Sequence, residues 1–488
     1  MIIWVFGRLE IMSYFILQQG YELCGWKGLP FALRHPDPFR TEFFDRESFR
    51  VVYACDGRTE IHEDDLTEKQ RQTLKRLVDS GIARKGDGTQ RLEPWQEYKS
   101  FPAMYKKLAY WSITGRCNYR CRHCFMSAPD YQGDDLTSEQ CVHILDELAA
   151  CGIRAVDLTG GEPLVSPHFV EILDGLRERN ISLRMIYSNG ALVDEKLLEE
   201  LEKRQMHPFF HMSFDGVRWH DWMRGIPGAE ENVIRAFRLL HERGYRISCS
   251  MCLHKHNIGD LKENVDLLGS LGVSHLKMNI AAPTGRWKNQ QEHFLSQNEA
   301  NEAIMAYIPQ YVADGMPLSV QFSTLIEFSR ERRAVILPMA GFSGSEEAGE
   351  SWACGTVKKT LYISPQGKIL PCMTMAATAI ENQFDSVFDK SLSEILSDSF
   401  YRSTCLRQMR ECIEHNEKCR DCHYRTLCGA GCRAAACGDS GTDYLAADQE
   451  ICYLFRNGWY EKARELGMKY KDSFPTDRDK NKRCSGGN

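Results

Sequence analysis

The distribution of cysteine along the chain constrains the fold more than any other feature of the sequence. Twenty cysteines occur among 488 residues, with three inside eight positions, at Cys117, Cys121 and Cys124, and nine between Cys354 and Cys437. Cysteines that only fill a hydrophobic core would be scattered. Clustered cysteines in a large chain without an export signal indicate metal ligation in a reducing compartment. We therefore expect a metal-binding protein of the cytoplasm.

Composition and charge exclude several classes of protein. With 43% hydrophobic residues, a chain of this length can bury roughly two or three separate cores. A formal net charge of -6 provides none of the basic excess that a nucleic-acid partner requires. The apolar stretch from Met1 to Leu17 is interrupted by Arg8 and Glu10, lacks a small-residue cleavage site and is too short to span a membrane. We expect no nucleic acid and no membrane as partners, and Met12 is a second candidate start.

Short apolar runs alternate with helical patterns from Ala109 to Trp287, which is typical of βα units around a parallel sheet. One helix illustrates the pattern, since Thr137 and Gln140 make a capping box at its start and Gly152 ends it. Six such units predict an α/β fold with a partial (β/α)6 barrel of the TIM type, open on one side. The predicted strands are residues 110–114, 155–158, 183–187, 209–213, 247–253 and 275–280.

The regions on either side of the barrel predict further domains. A small domain precedes the barrel, with a strand near residues 49–54 and a capped helix from Thr67 to Gly81. After the barrel come helix and bridging strand, then a Gly/Ser/Glu linker, a cysteine-rich domain and a polar tail in which Cys484 is an idle thiol. The predicted segments are residues 1–97, 98–295, 296–349, 350–465 and 466–488.

The run C-x3-C-x2-C at Cys117, Cys121 and Cys124 directly follows the first predicted strand, where a loop at the carboxyl-terminal mouth of a barrel would lie. Three thiolates so close together suit a [4Fe-4S] cubane. With three protein ligands one iron stays open, and it could accept the amino and carboxylate groups of a small molecule. A zinc site is the alternative, but zinc prefers four ligands and only His123 is near enough in sequence to be the fourth.

Glycine-rich and polar segments follow the next three predicted strands. Adjacent glycines allow the backbone to approach a ligand closely, and a glutamate can accept a hydrogen bond from an ammonium group. Each segment by itself could be an ordinary turn, but barrel strands deliver functional side chains at these ends. Residues 283–286 are a weaker candidate of the same kind, and no catalytic acid or base stands out. The candidate ligand contacts are Gly160, Gly161, Glu162, Ser188, Asn189, Ser213 and Asp215.

The cysteine loop, followed by G-G-E-P and S-N-G in a βα barrel, resembles the radical S-adenosylmethionine (SAM) superfamily over residues 110–287. The resemblance implies that the cluster binds SAM through its open iron and donates one electron. SAM would then split into methionine and a 5′-deoxyadenosyl radical, which abstracts hydrogen from a substrate while the protein orients the cofactor. It further implies that Gly160, Gly161 and Glu162 meet the methionyl amine. Ser188, Asn189, Ser213 and Asp215 would meet the ribose and carboxylate.

The cysteine-rich region resembles the SPASM domain of many radical SAM maturases, which holds two auxiliary [4Fe-4S] clusters. The resemblance assigns one cluster to Cys419, Cys422, Cys428 and Cys452. It assigns the other to Cys354, Cys372 and Cys432. The second set lacks a fourth member, which could be a substrate thiolate, water or Cys437.

Two points about these cysteines stay open. A pair of zinc knuckles is the alternative to auxiliary clusters, since C-x2-C spacing alone would permit it. The cysteines outside both sets are expected to pack as small buried hydrophobes, although one could be a hydrogen donor of the kind that radical epimerases need. These leftover cysteines are Cys249, Cys252, Cys405, Cys412 and Cys437.

The small N-terminal domain vaguely resembles the winged-helix element that recognises leader peptides of ribosomally made natural products. Such elements bind an extended peptide as an added edge strand, although a domain that only braces the barrel is the alternative. The domain order suggests a peptide maturase that forms an intramolecular thioether or carbon–carbon crosslink. It would receive electrons from a donor such as flavodoxin or ferredoxin. A sulfatase-type maturase and a peptide epimerase are alternatives within the superfamily. The alternatives outside the superfamily are a non-enzymatic iron–sulfur electron carrier and a zinc scaffold.

Overall fold

A computed structural model describes residues 13–37, 40–281, 285–376 and 378–475. Outside these ranges lie Arg8, Glu10, Met12, the first two residues of segment 283–286 and the predicted idle thiol Cys484. The chain divides into two compact units. The first comprises residues 1–107 with 147–155 and 392–397, and the second comprises the remainder. The predicted segment boundaries stay predictions.

The first unit is built from two small sheets and two helices. Its elements are β1 (Ser13–Leu17), β2 (Glu22–Trp26), β3 (Leu29–Arg34), β4 (Thr41–Phe43), α1 (Arg46–Ala54), β5 (Asp56–Ile61), α2 (Glu68–Asp79), β6 (Ala83–Gly86) and β7 (Lys99–Phe101). One sheet has the order β5-β1-β6, with both pairs antiparallel, and the other has the order β4-β3-β2-β7. The buried side chains of Leu23, Leu33, Phe49, Val52 and Leu77 form the centre of its core.

The predicted strand at residues 49–54 is wrong, because this segment is the second half of α1. Asp45 caps the helix by accepting hydrogen bonds from the backbone amides of Glu47 and Ser48. Phe49 and Val52, three positions apart, then fall on the same buried face. The neighbouring helix was predicted correctly, since the side chain of Thr67 caps α2 in a capping box.

An eleven-stranded sheet forms the centre of the second unit. Its strands are β8 (Leu108–Ser112), β9 (Ala155–Thr159), β10 (Ser182–Ser188), β11 (Phe209–Ser213), β12 (Ile247–Leu253), β13 (His275–Ile280), β14 (Ser319–Phe322), β15 (Ile326–Ser329), β16 (Ala334–Ile336), β17 (Thr360–Ile363) and β18 (Ile369–Leu370). The helices along this part of the chain are α3 (Ser138–Ala150), α4 (Phe169–Glu178), α5 (Glu195–Lys203), α6 (His220–Arg224), α7 (Ala229–Glu242), α8 (Leu261–Ser270) and α9 (Gln297–Ala313).

The sheet confirms the predicted α/β class, and all six predicted strands are present. Strands β8 and β9 are parallel, and β10 to β14 form four further parallel pairs. The parallel sheet continues beyond these six strands, because β14 pairs parallel with β13 and β17, from the start of the cysteine-rich region, pairs parallel with β8. The first strand also ends two residues earlier than predicted, at Ser112, which frees Thr114 for the loop that follows.

The remaining chain is almost entirely short helices. They are α10 (Gly355–Lys359), α11 (Leu392–Ser397), α12 (Ser399–Cys405), α13 (Met409–His415), α14 (Glu417–Arg420), α15 (Arg425–Cys428), α16 (Arg433–Ser440), α17 (Gln449–Arg456) and α18 (Trp459–Tyr470). Within the described ranges, every helix is too short or too polar to cross a bilayer.

Candidate active site

The cysteine loop lies between β8 and α3, at the carboxyl ends of the parallel strands. Backbone amides point at two of its thiols: Tyr119 donates to Cys117 Sγ at 3.4 Å and Ala128 donates to Cys124 Sγ at 3.3 Å. Burial, together with the neighbouring thiols of Cys121 and Cys124, raises the pKa of Cys117 to about 12. Three neighbouring thiols with amide donors fit the ligand set of a [4Fe-4S] cluster that has one open iron.

Backbone hydrogen bonds join the loop to helix α6, which begins five residues after Asp215. Arg122 donates its backbone amide to the carbonyl oxygen of Met223 at 2.8 Å, and Arg120 donates to that of Arg224 at 3.2 Å. Because these bonds flank Cys121 on both sides, the position of that thiol is set by α6 as well as by the loop.

The two glycines of G-G-E-P pack the end of β9 against the cysteine loop. Gly161 donates its amide to the carbonyl oxygen of Thr114 at 3.0 Å, and Glu162 donates to that of Arg116 at 2.9 Å. A side chain at Gly160 would collide with the Thr114 carbonyl oxygen and one at Gly161 with that of Arg116, and Gly160 has φ +150°. The close approach predicted for these glycines is therefore made to the backbone of the cysteine loop.

Glu162 joins the ends of β9 and β10. It is 1% exposed, and one carboxylate oxygen accepts from Ser188 Oγ at 3.0 Å and from the Leu164 amide at 3.2 Å. The other oxygen accepts from the Asn189 amide at 2.7 Å. Burial raises the pKa of Glu162 to about 7, against the opposing effect of these hydrogen bonds. Since Asn189 Nδ2 also donates to Asn118 Oδ1 at 2.7 Å, the network extends into the cysteine loop.

Asp215 reaches the cysteine loop through an arginine that the sequence did not single out. Its carboxylate is fully buried, accepts from the Cys252 amide at 2.9 Å and lies 2.7 Å from the guanidinium of Arg224. Arg224 Nη1 donates to Cys121 Sγ at 3.7 Å. Burial acts to raise the pKa of Asp215, but the Arg224 charge, with those of His123 and His220, holds it at about 2.

Arg224 had no local signal in the sequence, because nothing in W-M-R-G distinguishes it from an exposed helix-end arginine. Ser213, the other predicted residue of this strand, ends β11 and is half-buried opposite Ser250. The structure thus brings six of the seven predicted ligand contacts around the cysteine loop, five directly through β9 and β10 and Asp215 through Arg224.

His123 lies with Asp215 and Cys252, and the potential ligand atoms of the three residues are within 4.8 Å of one another. The arrangement resembles a cation site, but the Asp215 carboxylate already forms an ion pair with the Arg224 guanidinium. Burial also lowers the pKa of His123 to about 4 and raises that of Cys252 to about 12. A metal ion there would compete with a fixed positive charge, so this group does not supply the fourth ligand of a zinc site.

Four cysteines of the C-terminal region line one cavity of about 670 Å³. Cys419 and Cys422 come from α14 and the turn after it, Cys428 ends α15 and Cys452 lies in α17. Burial raises the pKa of Cys428 to about 12, with contributions from the other three thiols. These are the four residues assigned to one auxiliary cluster, and four thiols around one cavity fit such a cluster.

The other three predicted ligands of this region also lie near one another. Burial and the thiol of Cys354 raise the pKa of Cys372, and burial, with a smaller contribution from Cys372, raises that of Cys432. Asp448 connects the two groups: its carboxylate accepts from the Cys432 amide at 2.9 Å and caps α17, which carries Cys452. Three thiols fit a cluster with one open position.

Comparison with known proteins agrees with this geometry. Residues 111–268 match the model of the radical SAM superfamily, and residues 354–423 match that of the SPASM iron–sulfur cluster-binding domain. The chain thus contains a radical SAM domain and a SPASM domain, and these matches indicate SAM and [4Fe-4S] clusters as its cofactors.

Individual relatives are more distant. The chain is 27% identical to PqqA peptide cyclase of Granulibacter bethesdensis over 331 residues, which is 66% of this chain and 81% of that protein. It is 23% identical to Fe-coproporphyrin III synthase of Methanosarcina barkeri over 376 residues, 73% of this chain and 90% of the synthase. The crystal structure of Streptococcus suis SuiB bound to precursor peptide SuiA superposes with a TM-score of 0.62 at 15% identity, covering 90% of this chain and 100% of SuiB.

Proposed function

We propose that this enzyme is a peptide maturase that abstracts hydrogen from a precursor peptide and forms an intramolecular thioether or carbon–carbon crosslink. The observation that carries the proposal is the combination of three parts in one chain. A three-thiol loop lies at the strand ends, seven further thiols are grouped in the C-terminal region, and a small sheet-and-helix unit precedes both.

In this proposal Cys117, Cys121 and Cys124 hold the cluster that binds SAM. When bound, cluster and SAM supply the 5′-deoxyadenosyl radical. The protein's part is to hold the loop in place. The Glu162 amide donates to the Arg116 carbonyl oxygen at 2.9 Å, and Asn189 Nδ2 donates to Asn118 Oδ1 at 2.7 Å. Gly160, Gly161, Glu162, Ser188, Asn189, Ser213 and Asp215 remain the proposed surroundings of SAM.

The auxiliary clusters are assigned as the sequence predicted. Cys419, Cys422, Cys428 and Cys452 hold one. Cys354, Cys372 and Cys432 hold the other. Together with the barrel cluster this gives three [4Fe-4S] clusters. Forming a crosslink removes two hydrogens from the peptide. One would leave as a hydrogen atom taken by the 5′-deoxyadenosyl radical, and the other as a proton and an electron, for which the auxiliary clusters provide a route.

Two relatives support a peptide substrate. PqqA peptide cyclase is named for a peptide, and SuiB has been crystallised with its precursor peptide. The SuiB match leaves out 10% of this chain, about 49 residues, so it must include part of residues 1–107. We infer that residues 1–97 recognise the peptide as a winged-helix-like domain, for which the edge strands of its two sheets are the available docking sites.

The remaining partners follow from the chemistry. Reducing the barrel cluster requires a low-potential electron donor such as flavodoxin or ferredoxin, and we place the enzyme in the cytoplasm, where such donors and reduced thiols occur. A sulfatase-type maturase and a peptide epimerase remain alternatives, because they would use the same domains and clusters. The match to Fe-coproporphyrin III synthase makes a porphyrin substrate a second candidate. A porphyrin substrate would leave the N-terminal unit without a role in substrate recognition.

The test is anaerobic reconstitution with iron and sulfide, followed by iron counting and an assay for 5′-deoxyadenosine formed from SAM under dithionite. About twelve irons per chain and deoxyadenosine formation are expected for three cubanes. A peptide encoded beside the gene should then lose mass by two hydrogens per crosslink. Bound zinc without SAM cleavage would overturn the proposal, and turnover of an iron porphyrin but no peptide would favour the second candidate.

A further inference from the structure

Arg433 places a permanent positive charge inside the cysteine-rich region. It directly follows Cys432 at the start of α16, and its side chain is only 1% exposed. A guanidinium cannot be deprotonated under conditions in which proteins fold, so burial cannot remove this charge.

The guanidinium is held by backbone carbonyl oxygens. Nη1 donates to the oxygen of Ala446 at 2.8 Å and to that of Tyr444 at 3.1 Å. Nη2 donates to the oxygen of Gly431 at 3.0 Å and also to that of Ala430. These bonds satisfy the donors and fix the orientation of the group, but carbonyl oxygens carry no net charge to neutralise it.

No carboxylate forms an ion pair with Arg433 among the residues that the structure describes. The acidic side chain influenced by the charge of Arg433 is Asp448. Burial and amide hydrogen bonds, however, affect the pKa of Asp448 more strongly than Arg433 does. The Asp448 oxygens accept from the amides of Cys432 and Glu450, both at 2.9 Å, and of Ile451 at 3.1 Å. Asp448 is thus already engaged in binding backbone amides.

The backbone that holds Arg433 forms part of the wall of the four-cysteine cavity, because Ala430, whose carbonyl oxygen accepts from Nη2, lines that cavity. Ala430 and Cys412 belong to one buried cluster, and Cys419, a proposed ligand, packs against it. Arg420, by contrast, is exposed and donates to the carbonyl oxygen of Glu414 at 2.8 Å, although it is the residue next to Cys419.

A buried cation without an anionic partner is strongly destabilising, so the anion must be sought in what the site binds. A [4Fe-4S] cluster with four thiolate ligands is an anion. We propose that Arg433 is the counter-charge of the cluster held by Cys419, Cys422, Cys428 and Cys452, and that it raises the reduction potential of this cluster. The inference rests on the proposed function, because it requires that cluster.

The physical reason is electrostatic. Reduction adds a negative charge to an already anionic cluster, and a fixed cation in a region of low dielectric stabilises the reduced form more than the oxidised form. Arg433 would therefore act as a positioning residue that keeps this cluster able to accept an electron.

The test uses the full-length, reconstituted chain on a background of Cys117→Ala, Cys121→Ala and Cys124→Ala, which removes the signal of the barrel cluster. Arg433→Gln removes the charge, Arg433→Lys keeps it, and Arg420→Gln is the matched exposed control. Iron content, circular dichroism and a redox titration followed by electron paramagnetic resonance are measured for each.

We expect Arg433→Gln to lower the ratio of reduced to oxidised cluster at a fixed potential at least tenfold, which equals 59 mV for a one-electron couple. Arg433→Lys should stay close to the unchanged protein, and Arg420→Gln should match it. If Arg433→Gln loses iron while Arg433→Lys keeps it, the charge is needed to retain the cluster, which also supports the inference.

Two outcomes overturn the inference. One is full iron in Arg433→Gln with unchanged potentials. The other is loss of helical structure in both Arg433→Gln and Arg433→Lys, which would make the carbonyl contacts the purpose of the residue. Missing auxiliary iron in the parent protein is a separate result, because it rejects the proposed function rather than the role of Arg433.

Discussion

The two cysteine-bearing regions of this enzyme are built in opposite ways. The barrel cysteines lie in a loop whose backbone is bonded to the ends of parallel strands and to α6, so the polypeptide itself defines the site. Most of the C-terminal cysteines lie on or beside helices of four to eight residues from α13 to α17. One small core cluster there consists of Ala353, Cys412 and Ala430.

This difference has a thermodynamic meaning. Helices of one or two turns are unstable by themselves. Although α13 and α17 bury Met409, Leu454 and Phe455, the four thiols of this region surround an open cavity and are only partly buried. The strands of the barrel, in contrast, bury large side chains such as Phe210 and Phe322 completely. We therefore expect the cluster to be added to a formed barrel, whereas in the cysteine-rich region metal binding should contribute a large part of the folding free energy.

Removing the metal is expected to have the largest effect. Protein prepared without iron, or treated with a chelator, should exchange its backbone amide hydrogens rapidly in residues 398–456, while strands β8 to β14 stay protected. Hydrogen–deuterium exchange with mass spectrometry measures this. Equal protection of both regions in the iron-free protein would contradict the comparison.

Replacing Cys117, Cys121 and Cys124 by Ala should reduce deoxyadenosine formation to background and leave the exchange pattern of the barrel unchanged, since the backbone bonds that hold the loop remain. Iron should fall from about twelve to about eight per chain. The matched control is Cys141→Ala, a buried cysteine of α3 outside the site. A barrel that unfolds on losing these three thiols would show that the metal, not the polypeptide, forms this site.

Glu162→Gln tests the hydrogen bonds that join β9 to β10. Glutamine keeps one acceptor oxygen but places an amide group against Ser188 or Asn189, and it cannot carry the negative charge proposed to meet the methionyl amine. SAM binding should therefore weaken roughly tenfold, which equals about 1.4 kcal/mol. Equilibrium binding of SAM to the reconstituted protein measures it. Glu171→Gln, an exposed glutamate of α4, is the control and should bind SAM normally.

Cys437→Ala should have the smallest effect. Cys437 lies in α16, is 1% exposed and is expected to act as a small packing residue, so its loss should leave the iron content unchanged and cost about 1 kcal/mol or less in stability. Iron counting and thermal unfolding of the holoprotein distinguish this from ligation. Loss of a whole cluster would instead identify Cys437 as the missing fourth ligand of the group containing Cys354, Cys372 and Cys432.

Local patterns in the sequence predicted most of the fold. Apolar periodicity located all six expected strands, because strand and helix periods are properties of short segments. It failed at residues 49–54, where V-V-Y-A favours a strand by composition but the Asp45 cap and the shared face of Phe49 and Val52 make a helix. It also missed β17, because pairing of a C-terminal strand with β8 is a long-range event.

The cysteine sets, G-G-E-P and S-N-G could likewise be found from sequence alone, because three ligands of one metal site must lie close in the chain when they share a loop. The tertiary structure decided which charged side chains lie next to the cysteines. Arg224 joins Asp215 to Cys121 across 103 residues of chain, and Arg433 is buried among carbonyl oxygens beside thiols from other helices. The sequence by itself determined which groups can bind the cofactors. The fold decided which buried charges surround them, because electrostatic effects depend on distance and burial rather than on order along the chain.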